Sequence, residues 1–194
     1  METKNRILEN ESSDPLLKLF YESFHLKNLY RQGWLKRGIP KEKCESVADH
    51  SFGVVLMSFI IAKEHFPELD ISKVMSLALI HDLPEVFTGD HTPSDNVTPK
   101  QKEVGESKAF KQLFSGFKGA DGYQKLWKEY SKQSSAEAKF VAQIDKIEMV
   151  LQASIYEKMT RHDLQDFYDS VLSVITSPKL RKILQQITSE RSPL

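Results

Sequence analysis

Several side chains that could bind a metal ion or transfer a proton lie close together in the middle of the chain. His81, Asp82, Glu85, Asp90 and His91 all fall between positions 81 and 91. They follow an apolar run that is typical of a buried helix. Imidazole and carboxylate groups at the end of such a helix predict a reactive site, and a metal ion that binds several of them would hold them together.

Two more residues of the same kind are predicted to lie near this cluster. His50 is on a long apolar segment, and Asp145 is beside the buried stripe of a distant helix. Together with His81 and Asp82 they form a set of two imidazoles and two carboxylates, which suits Mn, Co, Fe, Mg or Zn and leaves positions open for water and substrate. The absence of cysteine ligands argues against a closed structural zinc site.

The elements that must position these groups are all predicted to be helices. Apolar residues recur every three or four positions, and the chain has no alternating strand pattern and no internal repeat. Predicted helices begin after the cap at Asp14 and Pro15 and at Ser46, and a further helix runs into His81; others cover 98–114 and start at Ser135. The first is expected to continue to about Tyr30, followed by a basic loop.

The predicted fold class is therefore all-α, a single helical bundle with the site at its centre. At 194 residues the chain suits one domain, here 14–189, between a flexible lead-in at 1–13 and a tail at 190–194.

Composition removes several classes of function. Lys plus Arg equals Asp plus Glu at 27 each, so the net charge gives no attraction to nucleic acid polymers or anionic membranes. No apolar run is long enough to cross a bilayer, and the start lacks the apolar core of a signal peptide. The lone Cys44 excludes an internal disulfide and favours a reducing compartment, so we expect a cytoplasmic protein.

The order and flanks of the candidate ligands resemble those of the HD-domain metal-dependent phosphohydrolase family, in particular its 5′-deoxynucleotidase branch. The similarity covers most of residues 15–175 and is strongest in the following strings: Val47-Ala48-Asp49-His50-Ser51, Ile80-His81-Asp82, Glu85, Thr88-Gly89-Asp90 and Thr92-Pro93.

This resemblance implies a helical homodimer that removes phosphate from deoxyribonucleoside 5′-monophosphates. Each subunit would hold a divalent ion, with Mn, Co or Mg expected first and Fe or Zn as alternatives. By matching position, the metal ligands would be His50, His81, Asp82 and Asp145.

The resemblance also assigns the remaining site residues. Glu85 and Asp90 would be the acid/base and water-orienting carboxylates, and either could touch a second ion. Arg31 would orient the substrate phosphate, although Lys36 and Arg37 in the same loop are competing candidates.

The expected substrate-contact residues extend beyond the catalytic groups. They are Arg31, Trp34, Asp82, Asp90, His91, Thr92, Pro93 and Asp145. Trp34 would form a wall for the base or sugar, with core packing as its ordinary alternative.

Two other functions remain open at this point. One is hydrolysis of another nucleotide, such as a guanosine alarmone, by the same type of domain. The other is a catalytically silent helical module that binds a nucleotide or a protein partner.

Overall fold

A computed structural model describes residues 13–191 of the chain. In this range the regular structure is helical, and the only β contact is one isolated antiparallel bridge between Tyr30 and Ser46. The α-helices are α1 (Pro15–Ser23), α2 (Gln32–Lys36), α3 (Val47–His65), α4 (Ile71–Ile80), α5 (Glu85–Thr88), α6 (Pro99–Leu113), α7 (Ala120–Ser131), α8 (Ala136–Thr160), α9 (Gln165–Val171) and α10 (Pro178–Ser189). The predicted all-α fold class is confirmed.

Helices α3, α4 and α8 pack against one another and form the centre of the fold. Their contact surfaces carry fully buried side chains such as Val54, Leu77 and Ile144. Such close packing of three apolar helix faces removes enough apolar surface from water to stabilise the bundle. The central helices therefore give the candidate site a rigid frame.

The starts of these helices are capped by side chains, and two of them, at Ser46 and Ser135, are starts that the sequence predicts. Ser46 accepts a hydrogen bond from the backbone N–H of Asp49, whose carboxylate accepts the N–H of Ser46 in return. Asp70 caps α4, and Ser135 caps α8. Because these caps satisfy backbone donors that a helix leaves free, they fix where each helix begins.

The first helix is shorter than the sequence predicts. Helix α1 ends at Ser23, and a 3₁₀ turn continues to Asn28. The backbone then becomes extended, because it pairs with the segment before α3. The Leu29 carbonyl accepts a hydrogen bond from the Val47 N–H at 2.8 Å, and the Arg31 N–H donates to the backbone carbonyl of Glu45 at 3.1 Å. Pairing with the segment before α3 thus ends the helix, and it places Arg31 beside the centre of the fold.

The C-terminal helices are fastened to α8 by one buried carboxylate. Glu157 accepts two hydrogen bonds at 2.6 Å from the guanidinium of Arg191, and others from the backbone N–H of Leu164 and the hydroxyl of Tyr168. Its side chain is 1% exposed. The four contacts join the end of α8, the start of α9 and the residue that follows α10.

Two expectations concern regions at the edges of the structure. The flexible lead-in predicted for 1–13 and the tail predicted for 190–194 fall mostly outside the described residues. Between positions 13 and 191, no helix combines the length and apolar character needed to span a bilayer.

Replacement of Glu157 by alanine should destabilise the fold, because it leaves the Arg191 charge and two buried donors without their acceptor. We expect a loss of about 3 kcal/mol in the free energy of unfolding, measured by urea denaturation. The exposed Glu103→Ala should change it by less than about 0.5 kcal/mol. Equal effects of both substitutions would contradict this role for Glu157.

Candidate metal centre

Three central helices bring the four predicted ligands together. His50 lies in the first turn of α3, His81 and Asp82 directly follow α4, and Asp145 is in the middle of α8. Nε2 of His50 lies 3.2 Å from an oxygen of Asp145 and 3.7 Å from an oxygen of Asp82. Nε2 of His81 lies 3.1 Å from the same Asp82 oxygen. Residues almost 100 positions apart in sequence thus meet at one point.

These side chains fit a divalent cation. Nε2 of His50 and Nε2 of His81 are buried, and neither has a hydrogen-bond partner among the described residues. An unpartnered buried polar atom is costly in a folded protein unless something binds it. Ligand atoms about 2.1 Å from a shared cation lie about 3 Å from one another, which is close to the distances seen here. One ligand atom each of His50, His81 and Asp82 lies within 4.8 Å of the other two.

The opposite edge of each imidazole is held by an acceptor. Nδ1 of His50 lies 2.6 Å from Glu148, and Nδ1 of His81 lies 2.7 Å from the carbonyl oxygen of Ala78. Since a carboxylate or a carbonyl can only accept, both rings donate from Nδ1 and direct Nε2 toward the cluster. Glu148 was not predicted from the sequence, although its position three residues after Asp145 puts it on the same face of α8.

A sharp turn after α4 returns the chain to the site. Pro84 precedes the short helix α5, and Glu85 in its first position is 3% exposed. Gly89 ends α5 with a φ of 82°, which glycine adopts without strain. The following residue, Asp90, is thereby directed back toward Arg31.

Arg31 and Asp90 form a buried ion pair next to the cluster. Nη1 of Arg31 lies 2.6 Å from Asp90 and 4.0 Å from Asp82. The second Asp90 oxygen accepts the backbone N–H of Gln32. Burial alone would lower the pKa of Arg31, but the carboxylates of Asp90 and Asp82 more than offset it and raise the pKa. The guanidinium therefore stays charged, and its ion pair with Asp90 and its longer contact with Asp82 hold it in place.

The carboxyl groups around the cluster differ in their protonation. Burial opposes ionisation of Asp82, yet the neighbouring His81 and His50 hold its pKa well below the usual range. For Glu85, burial and the nearby Asp82 charge raise the pKa well above its usual value. The surroundings of Asp82 thus favour its charged form, which suits a cation, whereas those of Glu85 favour its protonated form.

Neighbouring groups strongly shift the pKa of the His50 imidazole. Burial and the Arg31 charge lower its pKa, but the nearby carboxylates of Asp145 and Glu148 outweigh them and raise it to about 10. A divalent cation bound to Nε2 must displace the proton on that nitrogen.

Two lysines and a tyrosine at the site were missed in the sequence. Nζ of Lys102 on α6 lies 3.4 Å from Glu106 and 4.0 Å from Glu85, although the charged pattern of α6 indicated only a solvent-facing helix. Nζ of Lys146 is 3.1 Å from Asp145, which also accepts a hydrogen bond from the hydroxyl of Tyr130 at 3.4 Å.

Trp34 does not lie at the surface of the site. Its side chain is 1% exposed and packs against the rings of Tyr156 and Phe167. The indole N–H donates to Glu45 at 2.7 Å. The short helix α2, which the sequence analysis interpreted as a loop, turns this side chain into the core. The expected wall for a base or sugar is therefore not formed by Trp34 in this structure.

The other basic residues of that segment have separate partners. Lys36 contacts Thr92 and Asp95 at 2.6 Å each, and Arg37 pairs with Asp166 at the surface. Within the described residues, Arg31 is therefore the candidate for phosphate binding that contacts Asp82 and Asp90, whereas Lys36 and Arg37 do not. His91 and Thr92 are partly exposed and Pro93 is exposed, on the loop that leaves Asp90.

A family model described as HD domain matches residues 24–188. The chain belongs to this HD domain family. The match includes all four candidate ligands and the elements that carry them, so the predicted family membership is confirmed.

Curated members of the family share most of this chain. A Bos taurus protein named 5′-deoxynucleotidase HDDC2 is 40% identical over 173 residues, covering 86% of this chain and 81% of the relative. The Saccharomyces cerevisiae 5′-deoxynucleotidase YGK1 is 30% identical, covering 86% of this chain and 78% of the relative.

Solved structures agree with this HD-domain fold. A conserved hypothetical protein from Pyrococcus furiosus has a TM-score of 0.76 at 32% identity, covering 89% of this chain and 99% of the other. A predicted metal-dependent phosphohydrolase from Magnetospirillum magnetotacticum has a TM-score of 0.72 at 25% identity, covering 91% of each chain.

Addition of Mn²⁺ to chelator-treated protein should stabilise it, because the ion binds the folded cluster only. At about 100 times its dissociation constant, the midpoint of thermal unfolding should rise by about 5–10 °C. His81→Ala should abolish this rise, whereas the exposed His65→Ala should retain it. An equal rise in both variants would show that Mn²⁺ binds elsewhere.

Proposed function

We propose that this HD-domain protein is a metal-dependent 5′-deoxynucleotidase, which hydrolyses deoxyribonucleoside 5′-monophosphates to a deoxynucleoside and phosphate. The observation that carries the proposal is the meeting of two unpartnered histidine nitrogens and two carboxylates beside the buried Arg31. The relatives named 5′-deoxynucleotidase support the choice of reaction and substrate.

In this proposal, His50, His81, Asp82 and Asp145 hold the divalent ion. When bound, the ion supplies a Lewis acid for the phosphoryl oxygens and makes a water molecule more acidic. The mixed nitrogen and oxygen donors suit Mn²⁺, Co²⁺ or Mg²⁺, with Fe²⁺ or Zn²⁺ as alternatives. The carboxylates of Glu85 and Asp90 are the candidate ligands for a second ion.

Arg31 binds the phosphate of the substrate. Its guanidinium can present two parallel N–H groups to two phosphate oxygens, and it carries its charge at all relevant pH values. Asp90 holds the guanidinium in place at 2.6 Å and orients the attacking water. Because the ion pair forms before the substrate arrives, little reorganisation is needed on binding.

Glu85 is the proton donor to the departing sugar oxygen. An alkoxide is a poor leaving group, and a positioned acid of suitable pKa speeds its departure. Burial and the Asp82 charge raise the pKa of Glu85, which favours the protonated form that this role requires. One of its oxygens, Oε2, has no hydrogen-bond partner among residues 13–191 and is available for this transfer.

The loop that follows Asp90 forms one side of the nucleotide pocket in this proposal, through His91, Thr92 and Pro93. Lys36 supports the loop from the other side by its contacts with Thr92 and Asp95. Asp82 and Asp145 complete the substrate contacts near the phosphate.

We further propose a cytoplasmic homodimer in which residues 14–189 form one HD domain. The single Cys44, which is buried and free, suits a reducing compartment. Helix α3 carries an exposed apolar stripe opposite its buried face, made by Phe52, Leu56 and Ile60. A helix that is apolar on both faces is normally covered on both, and a second copy of the chain covers the stripe in the dimer.

Arg31→Ala should lower kcat/KM for phosphate release from a deoxynucleoside monophosphate by about 100-fold or more, because the phosphate loses its paired donors. Phosphate is measured with Mn²⁺, Co²⁺ or Mg²⁺ on deoxy and ribo substrates. The matched control, Arg37→Ala, should keep wild-type activity. Pyrophosphate as the product of an alarmone, or no phosphate release with any ion, would refute the proposal.

Phe52→Glu should convert the dimer to monomer, because it puts a charge on the apolar stripe at its most exposed residue. Mass is measured by light scattering during gel filtration. Leu172→Glu is the control, since Leu172 is similarly exposed at 64% but lies at the end of α9. A wild-type monomer, or a dimer that survives Phe52→Glu, would count against this interface.

A further inference from the structure

Glu148 makes close contact with the first turns of α3. One of its oxygens lies 2.6 Å from Nδ1 of His50. Its other oxygen occupies space beside Gly53, where a Cβ atom would approach it to 2.5 Å. Real side chains do not tolerate such a distance, so any residue larger than glycine at position 53 must move Glu148. Glu148 is 7% exposed, and its Cγ and Cδ atoms would also lie only 3.1 Å from a Cβ at position 53.

Gly53 is unfavourable for the helix that contains it. A glycine in a helix interior costs about 0.5–1 kcal/mol relative to alanine, and Gly53 is in the middle of the 19-residue helix α3. The absence of a side chain at position 53 leaves space for the Glu148 carboxylate next to the ring of His50. This contact explains why a glycine is present in the helix despite its cost in stability.

We propose that Glu148 is a positioning residue for His50, and that Gly53 provides the gap in α3 through which Glu148 reaches it. The inference deepens the proposed function, since it rests on His50 being a metal ligand. It assigns a task to two residues that contact neither the substrate nor the ion.

The two histidines differ in where an acceptor for Nδ1 can come from. His81 follows the C-terminal end of α4, where backbone carbonyls are free, and it uses that of Ala78. His50 lies in the first turn of α3, where the free backbone groups are N–H donors. The carbonyl of Ser46 already accepts the backbone N–H of His50, and the acceptor for Nδ1 comes from Glu148 on α8.

Helix α8 holds His50 on two sides. Asp145 faces Nε2 at 3.2 Å, and Glu148 faces Nδ1 at 2.6 Å. A spacing of three residues places both carboxylates on one face of α8. Donation from Nδ1 to Glu148 fixes the ring tautomer, orients the ring and makes Nε2 a stronger donor to a cation.

A second ion between Glu45, His50 and Glu148 is the competing explanation, because their donor atoms lie within 4.8 Å of one another. Such an ion would bind Nδ1 while the first ion bound Nε2, which requires an imidazole with no proton at all. Glu45 is already engaged by the indole N–H of Trp34 at 2.7 Å. The short contact between His50 and Glu148 is therefore best explained by a proton.

The test measures Mn²⁺ binding to chelator-treated protein by calorimetry, with thermal unfolding in chelator as a separate readout. Glu148→Ala should weaken Mn²⁺ binding by about 10- to 100-fold. Glu148→Gln retains an acceptor oxygen and should recover part of the loss. Gly53→Ala should weaken binding to a similar degree, although alanine favours the helix.

Non-additivity identifies the mechanism. If Gly53 acts only by admitting Glu148, then Gly53→Ala combined with Glu148→Ala should bind Mn²⁺ no more weakly than Glu148→Ala alone. Gly105→Ala is the matched control, because a Cβ there meets only an ordinary contact at 3.7 Å. In Zn²⁺-loaded protein, nitrogen NMR should show the His50 proton on Nδ1.

Several results would overturn the inference. These are a Glu148→Ala affinity within about threefold of wild type, additive losses in the double variant, two ions per chain lost together in Glu148→Ala, or no divalent-ion binding by the wild type. A wild type that binds Mn²⁺ with the predicted variant pattern but hydrolyses no deoxynucleotide would refute the proposed function and leave the positioning role intact.

Discussion

The structure depends on one unfavourable arrangement: two imidazole nitrogens are buried, unpartnered within the described residues, and directed at carboxylates about 3 Å away. Each of these groups loses hydration on folding. A cation at their centre would satisfy both nitrogens and neutralise the carboxylates together. The apolar contacts of α3, α4 and α8 hold the groups in this arrangement, so the stability of the bundle and the chemistry of its centre are linked.

The ionisable groups around this centre differ in the charge that their surroundings favour. Asp82 has a lowered pKa and suits a cation, whereas Glu85 has a raised pKa and suits a proton. Arg31 lies against Asp90 and supplies a fixed positive charge for an anionic group. In the proposed function a chain with no net charge binds a dianionic phosphate, because the positive charge that it needs is local and already in place.

Much of the fold followed from short-range patterns in the sequence. The starts of two central helices at Ser46 and Ser135 were predicted, because the signals that begin a helix come from neighbouring residues. The extended backbone at Leu29 was not predicted, since it comes from hydrogen bonds with a segment that lies further along the chain. Local propensity carries no information about such a partner.

The candidate site shows the same division. Residue types and order singled out His50 and Asp145, and the structure brings them together. The burial of Trp34, the approach of Lys102 to Glu85 and the contact of Glu148 with His50 were missed. Each depends on how two helices pack, and one sequence read alone does not give packing angles. The spacing of Asp145 and Glu148 was the one available signal.

The most direct measurement of the central claim is anomalous diffraction from crystals grown with Mn²⁺. The account predicts a peak within about 2.0–2.3 Å of Nε2 of His50, Nε2 of His81 and carboxylate oxygens of Asp82 and Asp145. A peak bound elsewhere, or one that leaves Asp145 beyond bonding distance, would contradict it.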